Sequence, residues 1–378
     1  MNFSSKRTCL LLTLVLLLIL GTTMVSAQTI TAQYLYVSGS ALTGTQGRIA
    51  GYRVAADGTL TQTQGAFPTS EPVNVLLPSA QGAKLFALGL HKVWVFTVNP
   101  ADGTLKLLSS DTFPQNIVGT GLAVNPTSTL LFVSKTVDGG TTNEVHRITT
   151  YKISPAGVIT SVASVAGKFL DTAVDSTGRF LYATVDNPTG LNFHTEVFSI
   201  NNTTGALTLA ANSPATGLKP SSLAIHPNNK FVYEDEPFPA VEAFTRNATT
   251  GALTRTEEVS CGCDSGPDFA TGMALNGSGT VIVQAVDDPD SGLAIYTIDQ
   301  TNGNPSPQPA FFIPFGFSPV AFTVDKANGL IYGIDADAKL IKGFHLTDAG
   351  ATSPTAQGSI PFPADESPTA VRVLAVKR

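Results

Sequence analysis

Seven times along this 378-residue chain a glycine turn opens onto a short apolar stretch, at spacings of 45 to 54 residues. The turns are Asp57-Gly58-Thr59-Leu60, Asp102-Gly103-Thr104-Leu105, Ala156-Gly157-Val158-Ile159, Thr204-Gly205-Ala206-Leu207, Thr250-Gly251-Ala252-Leu253, Asn302-Gly303 and Ala349-Gly350. Six or seven residues before each glycine stands one aromatic: Tyr52, Phe96, Tyr151, Phe198, Phe244, Tyr296 and Phe344. A period of this length means a stack of similar units, each unable to bury its own apolar face and relying on its neighbours to do so.

Each period holds further strand-like pieces rich in β-branched and aromatic residues and bounded by Gly, Pro, Asn or Asp. One series is Leu35-Tyr36-Val37, Leu85-Phe86-Ala87, Leu131-Phe132-Val133, Leu181-Tyr182-Ala183, Val232-Tyr233, Ile282-Val283 and Ile331-Tyr332. Another precedes it, from Val73–Leu77 in the first case to Ala370–Ala375 in the last. Four short strands per unit, seven units and no amphipathic helix beyond the leader predict an all-β fold, a seven-bladed β-propeller of four-stranded blades. The N-terminal part starts at a second strand and the C-terminal part stops after a first strand. Pairing of the two would close the ring and hide its open edges.

Lys6 and Arg7, the apolar run Leu10–Leu20 and the small residues Val25-Ser26-Ala27 form the charged, apolar and small-residue order of a secretory signal. Residues 1–27 are therefore expected to be removed, leaving residues 28–378 as one propeller domain in a secreted or periplasmic location. The apolar run is too short for a comfortable membrane span, and no later segment could cross a bilayer. Cys9 would leave with the leader. For Cys261 and Cys263 a local disulfide in an oxidising compartment is the plainer expectation, with paired thiolates as metal ligands the alternative. A formal charge of −6 and only 13% charged residues argue against binding nucleic acid through its phosphates.

The first-strand turn Asp175-Ser176-Thr177-Gly178-Arg179-Phe180-Leu181-Tyr182 and the hairpin Thr203-Thr204-Gly205-Ala206-Leu207-Thr208 resemble the lactonase-type seven-bladed β-propellers related to 6-phosphogluconolactonase. The resemblance implies a hydrolase that opens a lactone or related cyclic ester at a central pocket. Enzymes of that family often carry Gly-Pro-Arg-His leading into His-Pro-x-Gly-Lys. Here His226-Pro227 and Lys230 match, whereas the approach is Leu218-Lys219-Pro220-Ser221, without the Arg and His.

Connections between first and second strands and between third and fourth strands are short and share one face. The other loops are longer and varied, and binding residues concentrate on such loops. Lactone hydrolysis needs a base for water and a cation or donor set for the developing oxyanion. Arg147, Lys219 and Arg48 are candidates for the charge, and Glu236 or His194 for the base. His226 instead occupies a turn-starting slot shared with Asn125, Asp175, Asn276 and Asp325, and His345 a polar surface slot. Glu234 stands where other units have Val37, Ala87, Val133, Ala183, Gln284 and Gly333, and a buried charge there would be costly unless paired or functional. Glu234-Asp235-Glu236, Asp287-Asp288 with Asp290, and Asp335 with Asp337 form acidic clusters at the rim. They suit Ca²⁺ in chemistry, although they lack EF-hand spacing, and solvated loops are the plainer expectation. No other cofactor is expected: a quinone-dependent dehydrogenase would need recurring tryptophans, and Trp94 stands alone.

The competing reading is a non-catalytic propeller that binds a polymer, small molecule or protein through its variable face, with Phe67, Phe113, Phe193 and Phe238 on a broad rim. A small-molecule lactone or carbohydrate-like ligand is the partner the first reading calls for, and the second leaves the partner's class open.

Overall fold

The computed structural model describes residues 30–41, 46–63, 65–137, 145–185, 193–214, 220–236, 240–260, 269–287, 291–314, 321–335, 338–362 and 366–377. These residues form seven antiparallel sheets and no helix. Blade II consists of Val73–Pro78, Lys84–Gly89, Lys92–Val98 and Leu105–Thr112. Blade III is Ile117–Val124, Leu130–Val137, Val145–Ile153 and Ile159–Ala166. Blade IV is Phe169–Val174, Phe180–Val185, His194–Ile200 and Leu207–Asn212, and blade V is Ser222–Ile225, Phe231–Glu236, Ala240–Arg246 and Leu253–Ser260. Blade VI runs from Phe269–Leu275 to Phe311–Pro314 and blade VII from Ala321–Asp325 to Thr352–Pro361.

Blade I is built from both ends of the ring. Its inner strand is Glu366–Lys377, paired antiparallel with Ile30–Ala41, which pairs in turn with Gly47–Val54. Its fourth strand is split into Leu60–Gln62 and Phe67–Thr69. The predicted closure is thus present, and the seven-bladed β-propeller follows the repeat unit for unit.

Burial explains the pattern of strands. Second strands such as Lys84–Gly89 and Phe180–Val185 are buried on both faces, because each blade is packed between two others. Fourth strands such as Leu105–Thr112 alternate exposed and half-buried residues at the outer edge. Packed seams of apolar residues join successive blades, for example Phe180, Tyr182 and Val197 of blade IV against Leu223, Val232 and Phe244 of blade V.

The repeated glycines have a steric cause. All seven adopt φ between 75° and 83°, a region in which a side chain is strained. The turn also docks on the preceding blade: a Cβ on Gly103 would lie 2.3 Å from the Tyr34 ring, and one on Gly303 2.3 Å from Phe231. Second-strand tyrosines fasten the same contact. Tyr36, Tyr182, Tyr233 and Tyr332 donate to the carbonyls of Gly103, Gly251, Gly303 and Gly58, at 2.7, 3.0, 2.8 and 3.0 Å.

His226 takes the structural role read from its slot. Its Nε2 donates to Gly279 O at 2.8 Å, and Nδ1 accepts from the Asn228 amide at 3.1 Å. Asn125 and Asp175 accept backbone amides in the equivalent turns.

Candidate active site

First strands line the axis, and at the same height in blades I, II, III, IV and VI their pairing is interrupted by a bulge. Bulges re-aim side chains and recur beside functional sites. The bulge positions whose side chains are described include Asn74, Thr120, Leu170 and Thr369, none of them ionisable, with Asn74 and Thr120 exposed. Asp171, one residue on, is engaged by the amides of Leu223 at 3.0 Å and Thr172 at 2.8 Å. These positions give the axis hydrogen-bonding groups rather than an acid–base pair.

Charge is found instead in the crevices between blades. A cleft of about 480 Å³ opens between blades II and III, lined by Asp111, Phe113, Lys135, Arg147, Thr149 and Tyr151 among others. Alternation along the second strand of blade III sends Leu131, Val133 and Lys135 to one face, toward blade II. Lys135 is buried. Its Nζ donates to the Tyr151 hydroxyl at 2.6 Å, which donates to Asp111 Oδ2 at 2.7 Å. The ammonium also lies 3.8 Å from the centre of the Phe113 ring, a cation–π contact. Burial lowers the Lys135 pKa to about 8; Asp111 opposes the shift and Arg147 adds to it. Arg147 lies directly across the sheet from Lys135, and its buried Nε has no hydrogen-bond partner. By contrast, the hollow of about 300 Å³ between blades I and II, beside Tyr36 and Phe67, has no charged lining.

Two blades further round, the same strand position carries the opposite sign. Glu234 and Glu236 are on one face of the second strand of blade V, Glu234 pairs directly with Glu242, and Glu242 with Glu258. Glu234, Glu236 and Glu242 are at most 1% exposed. This overturns the expectation of a rim cluster, because alternation buries Glu234 and Glu236 toward blade IV and sends Asp235 the other way. Asp235 accepts from Gln284 at 2.6 Å and from Ser221 and Ser222. Burial pushes Glu234 up to about 8; Thr195 of blade IV opposes this, Glu242 adds to it and Arg255 opposes it. Glu236 is pushed up to about 8 by burial and by Glu242, Glu258 and Glu234. Arg255 forms ion pairs with Glu242 and Glu258, and burial still raises Glu242 to about 7.

The sequence-derived candidates therefore fall in separate places. Arg147 lines the cleft between blades II and III. His194 stands at the start of the third strand of blade IV, with Nε2 3.9 Å from Glu196 Oε1, on the face that blade IV turns to blade III. Glu236 belongs to the crevice between blades IV and V. Lys219, Phe238, Cys261, Cys263, Asp288, Asp290 and Asp337 lie outside the described residues, as do residues 1–29 and the Asp287 side chain. Asp335 is paired with Lys342 at 2.9 Å. Among the described residues no three His, Cys, Asp or Glu side chains are grouped to hold a metal ion. Phe113 is buried beneath Lys135 rather than displayed on a rim, and Phe67 packs edge-on against Phe96 at 4.9 Å.

Lys135, Tyr151 and Asp111 were missed in the sequence. The signal available was positional: Lys135 is two residues beyond Val133, a slot that holds Gly39, Gly89, Val185 and Val286 in four other blades and charge only at Glu236 and Asp335.

Residues 141–265 match the family model described as lactonase, seven-bladed β-propeller. That stretch, a third of the chain, is similar to the lactonase family, and the fold of the described residues is a seven-bladed β-propeller. No curated protein sequence matches it. Among solved structures, the periplasmic gluconolactonase of Pseudomonas aeruginosa superposes with a TM-score of 0.74 at 17% identity, covering 92% of this chain and 100% of that one. A proposed 6-phosphogluconolactonase from Bacteroides fragilis gives 0.73 at 18%, covering 90% and 98%. At these identities the likeness establishes the fold alone. Among the described residues no helix is long and apolar enough to cross a membrane.

Proposed function

We propose that this protein is an exported lactonase-like hydrolase and that it opens a lactone or related cyclic ester in the cleft between blades II and III. The observation that carries this reading is the Lys135–Tyr151–Asp111 hydrogen-bonded chain beside an Arg147 whose Nε is unpaired. The leader-like residues 1–27 and the periplasmic gluconolactonase among the structural neighbours support export.

The chemistry divides between two side chains. With its pKa near 8, Lys135 is neutral in part at physiological pH and can take a proton from water. The water oxygen bonds to the lactone carbonyl carbon, and Arg147 steadies the charge that develops on the carbonyl oxygen. Cleavage of the ring C–O bond then returns the proton from Lys135 to the leaving alkoxide, and the hydroxycarboxylic acid formed loses its carboxyl proton to solvent to give the hydroxycarboxylate. Tyr151 and Asp111 position the amine.

The test is hydrolysis of a panel of sugar and aliphatic lactones by the purified chain beside Arg147→Gln, Lys135→Met, His194→Ala and Glu236→Gln. Turnover should fall at least 100-fold in the first two, and wild-type kcat should rise with pH through about 8 as Lys135 loses its proton. Loss confined to His194→Ala or Glu236→Gln would move the chemistry to another crevice. No turnover by folded wild-type protein would leave a non-catalytic binding propeller.

A further inference from the structure

The cleft between blades II and III contains two cationic side chains and one carboxylate, and that carboxylate is already engaged. Asp111 Oδ2 accepts the Tyr151 hydroxyl. Across the strand pair Arg147 makes no ion pair among the described residues, and its Nε is buried without a hydrogen-bond partner. Lys135 Nζ has Tyr151 as its hydrogen-bond acceptor and the Phe113 and Tyr151 rings as its other contacts. Two cations share one opening, each raising the electrostatic potential at the other.

We infer that this cleft is a carboxylate site, taking an open-chain hydroxycarboxylate with its carboxylate on Arg147 and Lys135. The guanidinium is a planar fork that matches a carboxylate with two parallel N–H···O bonds, and Nε is one of the donors left free. Thr149, Ser161 and Ser164 line the same opening and offer neutral hydroxyls to those of the ligand. The inference deepens the proposed function, because ring opening generates a ligand of this class in place and would make it a competitive inhibitor. It does not depend on turnover, since the charge arrangement exists whether or not the protein hydrolyses anything.

The groups facing Lys135 are Asp111, Tyr151 and Arg147, so its loss of charge should weaken binding while Arg147 retains its own. Affinity should therefore fall as pH rises from 7 to 9.5, opposite to the pH dependence of hydrolysis.

Calorimetric titration of the folded full chain with lactate, gluconate, acetate and inorganic phosphate tests this. One site per chain is expected, with gluconate or lactate tighter than acetate, and weakened at least tenfold by Arg147→Gln. Lys135→Met should abolish the pH dependence between 7 and 9.5 and leave residual binding, which separates a ligand effect from a folding defect. Arg147→Lys keeps the charge without the fork and should bind more weakly than wild type. Binding unaltered by Arg147→Gln, tighter binding of phosphate than of any carboxylate, or no binding at all would overturn the inference. Carboxylate binding without lactone turnover would uphold it and overturn the hydrolytic reading; turnover without carboxylate binding would do the reverse.

Discussion

The crevice between blades II and III and the crevice between blades IV and V use the same strand slot for opposite charges. Lys135 and Glu236 are equivalent in the repeat, and each faces the preceding blade. The basic crevice is open, and its lysine is held by a hydroxyl, an aromatic face and a carboxylate in succession. The acidic crevice gathers three buried glutamates against Arg255, and both Glu234 oxygens lack a well-formed hydrogen bond. A propeller tolerates charge in its seams by two routes, then. One is to hydrate and partner it, and the other is to keep it neutral by retaining protons.

The two routes respond to pH with opposite signs. A carboxyl whose folded pKa is raised contributes stability present below the unfolded value of about 4.5 and lost as pH rises through the folded value. For Glu234, Glu236 and Glu242 that loss sets in above about 4.5 and is complete at about 7 to 8. Lys135 is shifted down, so its buried charge destabilises below about 8 and the penalty fades as pH rises toward its unfolded value.

The largest expected effect breaks the acidic side. Denaturant unfolding should show a loss of about 2–4 kcal/mol between pH 5 and pH 9, and the triple variant Glu234→Gln, Glu236→Gln, Glu242→Gln should remove more than half of that fall. An unchanged slope in the triple variant would mean that the glutamates do not share the retained protons. Smaller is the effect of Arg255→Ala, which takes away the cluster's cation. A loss of about 1–2 kcal/mol at pH 9 is expected, discounted for the partial exposure of the arginine, with little loss at pH 5 where the carboxyls are neutral. The smallest effect sharpens the basic side: Lys135→Met should raise stability by about 1 kcal/mol at pH 6 and by less at pH 10, measured by the same unfolding curves.

The blades were legible because their determinants are local. Gly58 and its six counterparts adopt positive φ, and the aromatic six or seven residues earlier lies on the third strand that runs into the same turn, so both recur at fixed spacing. Glu234 was legible as an exception to its slot, yet the sequence placed it on the rim, since loop proximity is easier to read than strand phase. Alternation from the buried Val232 would have turned it inward. The Lys135 site was harder. Asp111, Lys135 and Tyr151 come from two blades, and Tyr151 looked like another member of the aromatic series until the structure showed its hydroxyl bridging an amine and a carboxylate. Arg147 was singled out from its loop-proximal position, but its partners could be seen only once neighbouring blades were in contact.

Blade I, assembled from Ile30–Ala41 and Glu366–Lys377, also determines how the molecule yields to force. Ile30 lies opposite Lys377 in the antiparallel register, so tension applied at these two ends opens one residue pair at a time instead of shearing the whole ladder at once. Peeling is the low-force direction for a β-ladder. A ring joined by packed seams between blades thus has a zip fastener inside blade I, and a motor or protease pulling on either tail would meet that fastener first.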